Sequence, residues 1–140
     1  MNKTLTQWAV RYRSWAQQRF NSFSRGGGNW KPLAPSTIKR RRGAGKMVSI
    51  LRDIGLLFGA LAPAFQNAPG QFEARGPWRV EVGYGGNHKY PNGNVTIADI
   101  ASFHHFGTSR IPKREIIVDP PSTLVQQMRE DARRNLLDAY

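Results

Sequence analysis

Apolar residues recur at spacings of mostly three to five positions over residues 4–23: Leu5, Trp8, Tyr12, Trp15, Phe20 and Phe23, with Ala9 and Ala16 beside them. That spacing predicts a long amphipathic helix, with Arg11, Arg13 and Arg19 largely off its apolar stripe. Arg25-Gly26-Gly27-Gly28-Asn29 ends it, because glycine releases the backbone into left-handed or irregular conformations. Trp30-Lys31-Pro32-Leu33-Ala34-Pro35 reads as an ordered turn. Pro35-Ser36-Thr37 opens a short second helix carrying Ile38 to Arg42, which Gly43-Ala44-Gly45 breaks. In residues 48–62, Val48, Ile50, Leu51, Ile54, Leu56, Leu57 and Leu61 predict a short helix to Ile54, a break at Gly55, and a helix or strand to Ala62.

The pattern then changes to alternation. Residues 72–75 read as a strand, and residues 78–84 more strongly so: Trp78, Val80, Val82 and Tyr84 point one way, Arg79 and Glu81 the other. Residues 85–94 form a polar loop. A short helix begins near Thr96 and stops at Gly107; residues 108–112 are a loop and residues 115–118 a short strand. Asp119-Pro120-Pro121 looks like a capped helix start with proline in the first turn. The final helix runs to about Ala139, with Leu124, Val125, Met128, Ala132, Leu136 and Leu137 on its apolar side. The sum is an α+β domain spanning 1–140, a small, mostly antiparallel sheet packed with a long N-terminal helix and a C-terminal helix. Its length of 140 residues suits one modest core.

Charge divides the chain. Residues 1–46 hold eleven basic residues and no acid; residues 47–140 hold ten basic and nine acidic, which leaves the whole chain at +12. Residues 1–46 are therefore expected to be a basic helical arm with a Gly-rich loop that faces something negative, and residues 47–140 an ordinary α+β core. The candidate contacts to DNA or a partner are Arg11, Arg13, Arg19, Lys39, Arg40, Arg41, Arg42 and Lys46. Trp8, Tyr12, Trp15 and Trp30 lie among these charges and could stack on bases, but their periodicity favours a buried helix face.

Several chemistries fall away. No cysteine is present, which excludes disulfides, thiol nucleophiles and Cys-based zinc sites. Gly43-Ala44-Gly45-Lys46 lacks the first glycine and the following Ser or Thr of a phosphate loop, since Arg40 and Met47 stand there. Gly83-Tyr84-Gly85 lacks the third glycine of a dinucleotide fingerprint, His88 standing in its place. His104 and His105 are adjacent, so on a helix they point about 100° apart and do not converge on one metal. No nucleophile elbow or paired acids occur, so no enzyme, cofactor or metal is expected. The largely apolar stretch 54–65 is shorter than the roughly 20 residues of a membrane helix. Arg11 and Arg13 stand where a signal peptide would be apolar, which predicts a protein made in the cytoplasm, with no membrane partner.

Trp30-Lys31-Pro32-Leu33, then Ser36-Thr37 and a basic stretch, then Ile50-Leu51-Arg52-Asp53-Ile54-Gly55-Leu56-Leu57, resembles the N-terminal signature of the phage virion-morphogenesis, or tail-completion, family of Mu-like phages. Ala101-Ser102-Phe103-His104-His105-Phe106-Gly107 resembles its His-Gln-Phe-Gly segment, and Ile111-Pro112-Lys113-Arg114 its Ile-Pro-x-Arg. The likeness covers roughly residues 5–137. It departs from the family at Ile54 (usually Thr), His105 (commonly Gln) and Glu115 (usually Pro).

The resemblance implies a structural protein of the virion, at the tail or neck, that completes the tail or joins it to the head. Such proteins act as rings, most often sixfold, around the DNA channel. The partners implied are further copies of the chain, the tail tube, and neck or connector proteins, with non-specific contact to DNA. The motif residues also make local sense. Gly55 permits a change of direction. Trp30, Pro32 and Leu33 pin the Gly-rich loop. Gly107 after Phe106 ends a helix whose last carbonyls His104 or His105 caps, Pro112 stiffens the approach to the strand, and Arg114 suits a charge-assisted contact within or between subunits. The main rival is a free-standing basic nucleic-acid-binding protein; a small Mg²⁺-dependent nuclease is a third reading.

Overall fold

A computed structural model describes residues 2–45, 49–51, 55–91 and 93–138. Lys46, Ile54 and the rest of the helix expected before Gly55 lie largely outside them. The elements in chain order are α1 (Asn2–Ser24), α2 (Pro35–Gly43), α3 (Leu56–Gly59), β1 (Gln71–Arg75), β2 (Val80–Tyr84), α4 (Ile97–Phe106) and α5 (Ser122–Asp138). The fold is α+β, with a long N-terminal helix, one antiparallel strand pair and a C-terminal helix. Among the described residues no helix is long and apolar enough to cross a membrane.

α1 runs through the centre and touches α5, β2 and α3. Its buried line is Leu5, Ala9, Arg13, Ala16, Phe20 and Ser24, a helical stripe with an arginine in its middle. Trp8, Tyr12, Trp15 and Phe23 flank that line and are only partly buried, so the stripe sits one row away from the aromatic one expected. The small side chains of Ala9 and Ala16 let neighbours approach closely, and the aromatics close the sides. Ala16, Phe20 and Trp30 join Ile50, Leu51, Leu57, Leu61, Ile97, Ala101 and Ile116 in one core. Ala16, Phe20 and Trp30 of the basic first third thus supply part of the core.

α5 lies antiparallel to α1 with a largely polar seam. Trp8 Nε1 donates to the Met128 carbonyl (2.7 Å), and Asn135 Nδ2 donates to Thr4 Oγ1 (2.9 Å) and Gln7 Oε1 (2.7 Å). Leu124 is buried, but Leu136 and Leu137 are exposed, so the expected apolar face of α5 does not extend to its end. The helix begins at Ser122, not at an Asp119 cap. Each proline pushes the residue before it out of helical geometry, which keeps 119–121 outside.

The two strands pair Gln71↔Tyr84 through Arg75↔Val80. Val80, Val82 and Tyr84 face inward as expected. Trp78, however, lies in the turn outside β2 and is exposed. Buried Gln71 organises the preceding loop: its Nε2 donates to the carbonyls of Ala62 and Ala64 (both 3.1 Å) and its Oε1 accepts from the amides of Gln66 (3.0 Å) and Ala68 (3.2 Å). All four amide valences are used, which is what makes a buried glutamine tolerable. Tyr84 Oη donates to the Leu57 carbonyl (2.6 Å).

Gly55 has φ 82°, the left-handed conformation that turns the chain into α3. Leu51 also has φ 60°, so the expected helix does not run through it. α4 is capped as the sequence implies. Thr96 Oγ1 accepts from the Asp99 amide (3.0 Å), the Asp99 carboxylate accepts from the Thr96 amide (3.1 Å), and Gly107 ends the helix at φ 77°.

Candidate functional site

Residues 115–118 belong to no sheet, contrary to the strand expected there. Side chains from distant elements bond their backbone in place of a neighbouring strand. Trp30 Nε1 donates to the Glu115 carbonyl (3.0 Å), and Arg19 Nη1 donates to the carbonyls of Glu115 (2.9 Å) and Ile116 (3.3 Å). Tyr12 Oη donates to the Val118 carbonyl (2.7 Å). The amides of Ile116 (3.1 Å) and Ile117 (3.4 Å) both donate to His105 Nδ1. That arrangement requires Nδ1 to be unprotonated, and it replaces the helix-capping role expected of the histidines; the His104 carbonyl accepts from the Arg114 amide (2.7 Å).

Arg114 closes the other side. Its Nε donates to the Lys31 carbonyl (2.8 Å) and its Nη2 to the Pro32 carbonyl (3.3 Å), so its contact is within the chain and to backbone. Burial, and secondarily the like charge of Arg41, lowers its pKa. Trp30 stands edge-on to Phe20 (5.1 Å, 89°) and Phe23 (5.5 Å, 87°), which fixes the indole that holds Glu115. A Cβ on Gly107 would lie 3.1 Å from the Lys113 amide nitrogen, so the close passage of the two segments needs glycine there. The Trp30-Pro32-Leu33 turn and the segment from His104 to Arg114 are therefore one clamp. Leu33 packs against the core and Pro112 is half-buried, while Phe106 projects from the clamp, 71% exposed.

The basic residues separate into two groups. Arg11 Nη2 binds Asp131 Oδ1 (2.9 Å), with its Nε on the other carboxylate oxygen. That bond raises the Arg11 pKa, and Asp131 itself is only 2% exposed. Arg13, also 2% exposed, binds Glu73 Oε1 (2.9 Å) and the Phe72 carbonyl (3.3 Å), with its guanidinium over the Phe65 ring at 5.5 Å. Arg19 lies over the Phe23 ring at 4.3 Å as it reaches the clamp, and burial lowers its pKa. All three were expected to contact DNA or a partner; all three bond groups within the chain, Arg13 buried, Arg19 partly buried and Arg11 38% exposed at its side chain. On α2, Arg41 donates to the Ser49 carbonyl (2.9 Å), whereas Lys39, Arg40 and Arg42 are exposed and make no ion pair with a described residue. Lys46 lies outside the described residues.

The inward arginines were readable in part. Ala9, Arg13, Ala16 and Phe20 follow the i, i+4, i+7, i+11 spacing of a buried helix face, as do Leu124, Met128 and Asp131 on α5. A charged residue on such a line signals a buried partner. Glu73, the partner of Arg13, carries no local signal of its own. Among the described residues no three His, Asp or Glu side chains gather as a metal site. Comparison with protein-family models, characterised proteins and solved structures finds no match to the chain.

Proposed function

We propose that the chain is a structural virion-morphogenesis protein, a subunit of a ring around the DNA channel that completes a phage tail or joins it to the head. The observation that carries this reading is the clamp. The motifs that resemble the tail-completion family lie more than 80 residues apart, yet Trp30, Lys31 and Pro32 meet Arg114 and Glu115 through direct bonds. Each of those bonds goes to a backbone carbonyl. They stiffen a scaffold, as a ring-forming adaptor needs. Phe106 beside the clamp, and the exposed cations of α2, are the surfaces a ring would offer to neighbours, acidic virion proteins or DNA.

The test is electron microscopy of unfinished tails incubated with the purified protein. Rings at the tail end, with tails becoming competent to join heads, are the expected result. Tails that stay bare count against it. The rival, a free-standing nucleic-acid-binding protein, draws on the same α2 cations and predicts salt-dependent binding of duplex DNA by the monomer with no affinity for tails.

A further inference from the structure

The β1–β2 hairpin ends in a tight turn, Pro77-Trp78, closed by the Gly76 amide donating to the Arg79 carbonyl (2.9 Å). Proline stiffens the turn. Trp78 stands out from it 77% exposed, the most exposed large apolar side chain among the described residues. Arg79 beside it pairs only with Glu81, at 3.5 Å and with both side chains largely in water, a weak contact. The tip is thus rigid, aromatic and cationic, and the fold makes little use of it.

An open groove of about 460 Å³ runs along the flank of the same hairpin. Trp8, Tyr12, Val82, Val118 and Met128 give it an apolar floor, and Asp119 adds acid. Asp119 has no cation partner among the described residues, in a chain of net charge +12. One wall is a bare strand edge. Gly76 bonds Arg79 and Gly85 bonds Gly70, so the alternation of an antiparallel pair turns the N–H and C=O of Val80 and Val82 away from β1. No described residue bonds them there.

Trp78 does not fill this groove itself. It stands two residues beyond Val80, about 7 Å further along the strand direction, and the hairpin closure holds it there. We propose that the groove takes the Trp78-Arg79 tip of a second copy of this chain. The indole covers the apolar floor, its N–H reaches a free carbonyl of the β2 edge, and the guanidinium pairs with Asp119. Tip and groove share one flank, so each copy gives and receives, and the contact saturates at two copies. This contact is separate from the ring reading and does not depend on it.

Sedimentation velocity of the protein alone, over a range of concentrations, tests the pairing. Wild type is expected to show a monomer–dimer equilibrium. Trp78→Ala, which removes the tip, and Asp119→Arg, which repels the incoming Arg79, are each expected to weaken it by about a hundredfold, the scale of a lost central tryptophan anchor. Both sites are exposed, and circular dichroism checks that the variants fold. Mixing the two variants decides the geometry. Trp78→Ala keeps an intact groove and Asp119→Arg an intact tip, so the mixture, which restores one of the two contacts, is expected to pair more tightly than either variant alone. Wild type monomeric at every concentration, Trp78→Ala pairing as tightly as wild type, or a mixture that pairs no more tightly than either variant would each overturn the proposal.

Discussion

α1 and α2 both carry runs of arginine within the basic first third of the chain, and the fold treats them oppositely. In α1, Arg11, Arg13 and Arg19 are tied to the rest of the chain, meeting Asp131, Glu73 and the carbonyls of Glu115 and Ile116. In α2, Lys39, Arg40 and Arg42 are exposed, and Arg41 is tied to Ser49. The difference comes from what stands opposite. α1 lies between the sheet, α5 and the 115–118 segment, each of which offers carboxylates or unpaired carbonyls. α2 has no buried residue of its own. Charge density along a sequence therefore does not reveal which charges are available to a partner.

The sharpest way to break this comparison is Arg13→Ala. It removes the buried cation from Glu73, which keeps Arg75 (3.0 Å) as its second partner; breaking a buried pair outright costs about 3–5 kcal/mol, so a loss of about 2–3 kcal/mol is expected. Chemical denaturation reads the loss, and a change below about 1 kcal/mol would mean that the pair is not structural.

Alkaline titration probes the tyrosines that lock α1 and α3. Burial raises the hydroxyl pKa of Tyr84 well above 10 and, less strongly, that of Tyr12, which Asp119 raises further while its bond to Val118 and the charge of Arg19 lower it. A proton held more tightly in the folded state stabilises it below the unfolded value near 10, and that contribution is lost as pH rises through the folded values. Absorbance at 295 nm should show at least two of the four tyrosines ionising late, together with unfolding. Simple titration of all four near pH 10 would contradict their burial.

Arg114→Met keeps much of the bulk but leaves the Lys31 and Pro32 carbonyls without their donor, at an expected cost of about 2–3 kcal/mol. A denaturation midpoint unchanged from wild type would mean that the clamp does not need it. A smaller effect separates acceptor from packing at His105. Glutamine there retains an oxygen for the Ile116 and Ile117 amides and should stay near wild type. Leucine leaves two donors unmet and should cost about 1–2 kcal/mol. Equal stability of the two variants would remove the hydrogen bonds from the account.

Local chemistry explains which parts of this arrangement the sequence announces. α1, its glycine end, the Thr96–Asp99 cap and the stop at Gly107 depend on residues within a few positions of one another, and all are readable. The 115–118 segment is not. Its apolar run suits a strand, but strand formation depends on a partner edge, and here Trp30, Arg19, Tyr12 and His105 arrive first from three other parts of the chain. Trp78 fails for the opposite reason: it continues the alternation of β2, but the turn intervenes before it can join the sheet. At the candidate site the motif residues were legible as a set, whereas the inward direction of Arg11, Arg13 and Arg19 depended on carboxylates and carbonyls 59 to 120 positions away.

The central claim is that the first third divides its charge, with α1 holding the fold and α2 left for contact. Chemical denaturation of the Lys39→Gln, Arg40→Gln, Arg42→Gln triple variant tests it most directly. The account predicts a stability within about 0.5 kcal/mol of wild type, as for exposed substitutions. A loss of several kcal/mol, comparable to that of Arg13→Ala, would contradict it.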